Sequence, residues 1–302
     1  MTFMQLREMY KEGQILKADF IERAYENHRI LFDYCSLLNE SMISEISLTK
    51  EGLVATISPF NIKLRCQYGD QRLIPFEIIN FGGYEQEETQ FVIDILRKIQ
   101  PKSMLDIGAN YGYYSLLIEK IFPRCHVYAF EPIPYSFQAL EENLTLNRST
   151  NVSIFNKGLS DKHGTSIFYY YPQGSGNASL SNLSGRTDIE TINCELDTVD
   201  RFVMEKGIGV DFIKCDVEGA ELLVLNGALN TLQKHKPFVF VELLRKWSAK
   251  FNYHPNEFIE KMSSLGYICY VLQNGKPAVC SRVTEETKQT NYFFVPSGFQ
   301  VI

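Results

Sequence analysis

Polar and apolar positions alternate in several distinct rhythms along the 302-residue chain. Up to about Glu45, Phe20, Ala24, His28, Leu31, Cys35 and Leu38 recur at three- and four-residue spacing, which predicts one face of an amphipathic helix. Two apolar runs follow, Leu53–Ile57 and Ile62–Cys66, joined by Ser58-Pro59-Phe60-Asn61, and together they read as a hairpin. Gly82-Gly83 punctuates the chain before a helix predicted from about Glu87 to Ile99. From Lys102 the rhythm changes again. Strands are predicted at Ser103–Ile107, His126–Phe130 and Val152–Phe155, with helices at Tyr113–Ile121 and Pro134–Leu146 between them. Further strands follow at Val210–Cys215 and Phe238–Glu242, separated by a helix over Ala220–Leu229. A helix near Pro255–Leu265 and strands at Tyr267–Leu272 and Asn291–Val295 complete the chain, the last two expected to pair antiparallel at a sheet edge. Strands alternating with helices require crossover connections, so the fold class is α/β with a mostly parallel sheet flanked by helices. The first 80 residues form an N-terminal extension, helical and then hairpin, with a substrate-recognition role expected; residues 81–302 form the main domain.

Composition narrows the function classes. With 45% hydrophobic and 22% charged residues, the chain can bury a core without disulfide or metal staples. A net charge of −6 argues against a nucleic-acid partner. No run of 18 apolar residues occurs, so no membrane span is expected. The N-terminus lacks the basic-then-apolar order of a secretory signal, and seven cysteines without a Cys-x-x-Cys pair read as reduced thiols. A cytoplasmic location is the expectation, with an oligomer left open. Gly174–Gly185, rich in Ser, Gly and Asn, is either a surface connection or a lid. Phe168–Tyr171 leads into it and reads as an edge strand.

The chemistry concentrates at the strand ends. Asp106-Ile-Gly108-Ala-Asn110-Tyr-Gly112 closes one strand and opens a helix, where glycines allow a sharp turn and free N–H groups attract a carboxylate or phosphate. Nineteen positions on, Glu131 ends the next strand ahead of Pro132, placed to accept both hydroxyls of a ribose. A dinucleotide fingerprint requires Gly-x-Gly-x-x-Gly; here the glycines are four apart and Asp106 would repel a pyrophosphate. That acid suits an ammonium group, and S-adenosyl-L-methionine carries an ammonium, a carboxylate and a ribose. Beyond the fourth and fifth strands, Asp216, Glu218 and Glu242 are expected to converge as general base, as supporting acids, or as hard oxygen ligands for Mg²⁺ or another divalent cation. Alternation puts Lys214 on the face of Asp216, where the two could pair. Glu221 reads as either a site acid or a helix-start cap. Trp247 reads as either an acceptor-pocket wall or a core residue, and His126, His163 and His254 read as structural or exposed.

The series Asp106–Gly112, Phe130-Glu131-Pro132, Gly158-Leu-Ser160-Asp161 and Asp216-Val-Glu218-Gly-Ala-Glu221, with Gly83-Tyr-Glu85 upstream and Val241-Glu242 later, resembles the FkbM-type methyltransferases over about Phe81 to Leu272. The resemblance implies a class I, Rossmann-like methyltransferase fold, S-adenosyl-L-methionine as donor, and a hydroxyl oxygen on a small molecule or glycan as acceptor. It also adds Glu85, Ser160 and Asp216 to the cofactor-binding set, and places Asp161 near the adenine amino group. Two other readings stay open: a nicotinamide-dependent oxidoreductase on a similar sheet, and a non-catalytic binding protein with the same fold.

Overall fold

The computed structural model describes residues 1–171, 174, 176, 178–183, 185, 187 and 189–301. Thr2 caps α1 (Phe3–Lys11) through a reciprocal capping box with Gln5, and α2 (Lys17–Leu38) folds back on it, with the Tyr10 and Phe20 rings stacked 4.7 Å apart. Of the 22 residues of α2, only Ala24 is buried. Strands β1 (Ile43–Thr49), β2 (Gly52–Ile57) and β3 (Ile62–Cys66) make an antiparallel sheet, and α3 (Ile74–Phe81) and α4 (Gln86–Ile99) lead into the central body. There follow β4 (Ser103–Ile107), α5 (Tyr113–Ile121), β5 (His126–Phe130), α6 (Pro134–Asn147), β6 (Val152–Phe155), β7 (Gly158–Leu159), β8 (Gly164–Tyr170) and β9 (Glu190–Asp197). The remainder is α7 (Val199–Lys206), β10 (Phe212–Cys215), α8 (Glu221–Asn226), α9 (Leu229–His235), β11 (Phe238–Glu242), α10 (Arg245–Ser248), α11 (Pro255–Ser264), β12 (Tyr267–Gln273), β13 (Lys276–Val279) and β14 (Asn291–Pro296).

The central sheet has the order β13-β12-β14-β11-β10-β4-β5-β6, parallel from β11 to β6 and antiparallel where β14 inserts between β11 and β12. Alternation along each strand sends residues to two separate cores, so the sheet is buried on both faces. Met104, Phe212, Phe238, Phe240 and Phe293 pack on one side. Leu105, Ile107, Ile213, Val239, Val241 and Phe294 pack on the other. The chain order reverses at β4, whose neighbours β5 and β10 lead away in opposite directions, and ligands of such sheets sit beyond the strand C-termini at that point.

The N-terminal 80 residues fall into two parts. Ile43, Ala55, Ile57, Ile62, Leu64 and Leu73 share one core with Leu117, Ile118 and Leu140 of the central body. Asn143 and Asn147 of α6 accept the backbone N–H groups of Arg65 and Lys63, so this sheet is riveted to the body. α1 and most of α2 stand outside that packing, which α2 meets through its last residue, Leu38.

The structure departs from the sequence reading in four places. The helical stretch ends at Leu38, and β1 follows it as a third strand beside the expected hairpin. A helix, α3, occupies Ile74–Phe81. The helix read over Ala220–Leu229 breaks between α8 and α9 at Gly227, where a side chain would collide with the Ser160 carbonyl oxygen. β12 and β14 do pair antiparallel, but β13 covers β12 and forms the sheet edge. Phe168–Tyr170 lies on an outer strand, as expected, in a separate small sheet with order β7-β9-β8.

Candidate functional site

Register brings the strand ends level. Ile107 pairs with Phe130 on one side and Cys215 on the other, and Cys215 pairs with Val241. Gly108, Glu131, Asp216 and Glu242 therefore each stand one step past the same row. The turn after β4 is held by two N–H bonds, from Gly108 and Ala109 to the Phe130 carbonyl at 3.0 and 2.9 Å. Gly108 takes φ +79°, and a Cβ there would strike the carbonyl oxygen of Asp216, so no other residue fits. Asn110 is also left-handed, at φ +48°, and its N–H donates to Glu131 Oε2 at 2.9 Å. Glu131 Oε1 accepts from Ile133 N–H at 2.9 Å. These bonds fix the carboxylate between the two loops. Burial raises its pKa to about 7 in spite of both donors.

Two cavities meet at this row. One, of about 60 Å³, is lined by Gly108, Asn110, Glu131, Pro132, Leu159 and Phe168, and Ala178 and Leu180 close over it. The other, of about 300 Å³, runs along the opposite side of Gly108 between Asp106, Glu85, Lys214, Asp216, Glu218 and Glu242, with Tyr84, Tyr113 and Trp247 as walls. Gly108, Asn110, Gly176, Asp216 and Glu218 border both.

Six acids line the larger cavity; Glu77 pairs with Arg72, and the other five share one buried base, Lys214. Asp106 is fully buried; its Oδ2 accepts from Ser115 Oγ at 2.6 Å, and its Oδ1 has no donor. Burial raises its pKa, against the pull of Lys214. The Lys214 ammonium sits 3.0 Å from Asp216 Oδ2 and donates to the Gly108 carbonyl at 3.4 Å. Burial disfavours its charge, but Asp216, Asp106 and Glu85 together prevail and hold its pKa above the ordinary lysine value. Glu85, at φ +44°, accepts from Tyr114 Oη at 2.7 Å and from Asn291 at 3.1 Å, and burial raises it too. One carboxylate oxygen from each of Asp216, Glu218 and Glu242 lies within 4.8 Å of the others. Burial and then the charge of Asp216 lift Glu218 well above the carboxylate range and Glu242 to about 10. Such a trio stores a demand for positive charge, which protons, a cation or a cationic ligand would meet.

The model of the methyltransferase FkbM domain matches residues 106–269, more than half of the chain and the whole span that carries these strand ends. The chain belongs to the FkbM methyltransferase family. Its relatives include methyltransferase sdnD of Sordaria araneosa, 29% identical over 173 residues that cover 48% of this chain and 67% of that protein. The 2-O-methyltransferase NoeI of Sinorhizobium fredii is 30% identical, covering 50% of this chain and 66% of NoeI. The hexuronic acid methyltransferase AglP of Haloferax volcanii is 32% identical, covering 46% of this chain and 54% of AglP. The chain thus spans about two thirds or less of the length of these relatives. Among solved structures, the methyltransferase FkbM of Methylobacillus flagellatus is similar over 64% of this chain and 44% of its own, at 18% identity and a TM-score of 0.42.

Within this FkbM-family site, the structure gathers most of the sequence-derived residues. Glu131, Pro132, Gly108 and Asn110 line the smaller cavity, Asp106 and Glu85 the larger, and Asp216 and Glu218 both; Glu242 borders the larger. Gly112 does not line either; it is left-handed at φ +86° and opens α5. Ser160 and Asp161 are also outside both linings. Ser160 is buried, its N–H donating to the Asp197 carbonyl, and Asp161 is exposed and accepts from Ser160 Oγ at 3.2 Å. Glu221 is a brace: it accepts from the N–H groups of Val217 and Gly219 and from Tyr253 Oη, which shapes the turn that presents Asp216 and Glu218. Lys214 pairs with Asp216, and Trp247 is a cavity wall, while His126, His163 and His254 bond to Ser153, the Leu196 carbonyl and Asn256 N–H away from it.

Sequence reasoning missed Tyr84, Tyr113, Tyr114, Arg72 and Ile74, which line the larger cavity from segments outside the strand-end motifs. Of the Gly174–Gly185 stretch, residues 175, 177 and 184 lie outside the described residues. Its Ser179 is buried, and Ser179 Oγ donates to the Glu218 carbonyl at 2.7 Å, so this segment is pinned over the strand ends.

Proposed function

We propose that this chain transfers a methyl group from S-adenosyl-L-methionine to a hydroxyl oxygen of a small-molecule or glycan acceptor. The observation that carries the reading is the pair of buried, donor-less oxygens at the glycine turn, Asp106 Oδ1 and Asn110 Oδ1. They border the larger cavity beside Lys214, and an ammonium group supplies the donors they lack. Glu131 would hold the ribose hydroxyls, and Pro132, Leu159, Phe168 and Leu180 would enclose the adenine. When bound, the cofactor supplies an electrophilic methyl on a sulfonium, with a neutral thioether as leaving group. Family membership favours this reading over the oxidoreductase and the non-catalytic alternatives. The names of two relatives, a 2-O-methyltransferase and a hexuronic acid methyltransferase, support an oxygen acceptor and a sugar.

The residues of the chain have two tasks. The first is alignment. Tyr84, Tyr113 and Trp247 confine the acceptor against the strand ends, and good positioning supplies on the order of 7–11 kcal/mol of a displacement barrier. The second is proton removal from the acceptor hydroxyl. Asp216, held by Lys214 through one oxygen, is the general base, with Glu218 and Glu242 in support; such a base contributes about 10²–10⁴-fold. The same three carboxylates fit Mg²⁺ or a similar divalent cation, because Glu218 Oε2 is buried without a partner and the oxygens cluster. A cation there would acidify the hydroxyl by direct coordination.

The test is methyl transfer from labelled donor to a panel of hydroxylated metabolites and glycans, with the product linkage read by mass spectrometry, in Mg²⁺ and in chelator. Product carrying an O-methyl ether supports the reading, and methyl found on nitrogen or carbon overturns it. Full activity in chelator assigns the three acids to proton transfer alone.

A further inference from the structure

We propose that Cys269 and Cys280 form a dithiol that a hydroperoxide closes to an intramolecular disulfide, tying β12 to the segment that runs from β13 to β14. In the antiparallel β12–β13 ladder Tyr270 pairs with Val279, so Cys269 and Cys280 stand directly opposite, and the Cys280 N–H donates to the Cys269 carbonyl at 2.9 Å. Opposed residues of such a hydrogen-bonded pair point to the same face with Cα atoms about 5.5 Å apart, inside the roughly 4.4–6.8 Å span of disulfides. Both side chains meet the same core, where the Cys269 thiol donates to the Tyr270 carbonyl at 4.0 Å and the Cys280 thiol to the Arg282 carbonyl at 3.7 Å.

The two sulfurs differ in access and in acidity. Cys269 is 5% exposed, whereas Cys280 lies just past the edge strand β13 and is only half-buried. The neighbouring Cys269 thiol lowers the Cys280 thiol to about 7 in spite of burial, which populates its thiolate at neutral pH. The other buried thiols lack this help: burial pushes Cys66 and Cys125 up to about 12 and Cys194 to about 11. Cys35, though exposed, sits on α2, away from this strand pair.

The chemistry balances with one equivalent of hydroperoxide. The Cys280 thiolate attacks the terminal peroxide oxygen; an S–O bond forms, the O–O bond breaks, and the departing oxide takes a proton. The Cys269 sulfur then attacks the sulfenic sulfur. The S–S bond forms, the S–O bond breaks, and water leaves with the proton of Cys269. Two thiols are oxidised by two electrons and the peroxide is reduced.

Closure acts on a segment that braces the end of β11. Between Cys280 and β14, Val283 is buried, Glu285 pairs with Arg245 at 2.8 Å, and the Thr290 carbonyl accepts the Leu243 N–H at 2.7 Å, one residue past Glu242. The full chain treated with equimolar hydrogen peroxide should lose two hydrogen masses. A non-reducing peptide map should join the peptides of Cys269 and Cys280, dithiothreitol should reverse the link, and the oxidised protein should melt higher than the reduced. C269A should stop at a Cys280 sulfenic acid that dimedone captures, and C35S should behave as wild type. Wild-type protein that gains oxygen at Cys280 without the link, that cross-links between chains through Cys35, or that leaves Cys280 unmodified overturns the proposal.

Discussion

Replacing Glu131 by Gln separates what this residue does for the fold from what it does for a ligand. Its carboxylate is 6% exposed and receives two backbone N–H bonds, yet burial raises its pKa from an ordinary 4.5 to about 7. A raised carboxyl pKa means that the folded state holds its proton more tightly than the unfolded chain. The associated stability is complete below pH 4.5 and is lost as pH rises through 7, a loss of about 3 kcal/mol at 1.36 kcal/mol per unit. E131Q has no charge to desolvate, so the fall in apo-protein melting temperature between pH 5 and 8 should flatten, though not vanish, because buried Glu221 also titrates at about 7. Ligand affinity should move the other way. The ribose diol loses a charged acceptor, and hydrogen bonds to charged groups are worth about 1.5–3 kcal/mol each. Losing one to two of them weakens binding by on the order of 10²-fold. Calorimetry with S-adenosylhomocysteine at pH 6, 7 and 8 should show wild-type affinity rising through pH 7 and the variant weak and nearly flat. A variant that binds within threefold of wild type, or that keeps the full pH slope of melting, would refute the placement of Glu131 between the two loops and the ribose.

Gly108→Ala must relieve a collision with the Asp216 carbonyl oxygen and adopt a left-handed backbone; cofactor binding should be lost and the melting temperature should drop by several degrees, as read by scanning fluorimetry. Asp216→Asn removes the proposed base and the Lys214 ion pair. Turnover should fall about 10²–10⁴-fold while S-adenosylhomocysteine still binds, a split that calorimetry beside a methyl-transfer assay resolves. Tyr253→Phe leaves Glu221 Oε2 without its buried donor at 2.9 Å. Denaturant unfolding should register a loss of about 1–3 kcal/mol, with rescue on lowering the pH as Glu221 gains a proton.

How much of this was readable from residue order follows from the range over which each feature is determined. The glycine turn, Glu131 and Asp216 are strand-end features: a few consecutive residues set both the backbone path and the side chain, and the parallel-strand pattern places every such end at one rim. The sidedness of Lys214 and Asp216 follows from the same two-residue alternation that sends Phe212 to one core and Ile213 to the other. Features built from distant partners left no local trace. Ile74–Phe81 is apolar on nearly every side, so it carries no helical period, and its exposed and buried faces appear only once β1–β3 and α4 surround it. Tyr114 reads in isolation as one more position in the stripe of α5. Its hydroxyl acquires a role only because Glu85 arrives from 29 residues upstream and Asn291 from the last strand, 206 residues from Glu85. The smaller half of the site was thus legible as motif, whereas the walls of the larger cavity are a product of packing. Those walls are drawn from α3, the turn between α3 and α4, α5 and α10, and that division is why the donor side can be named residue by residue and the acceptor only by class.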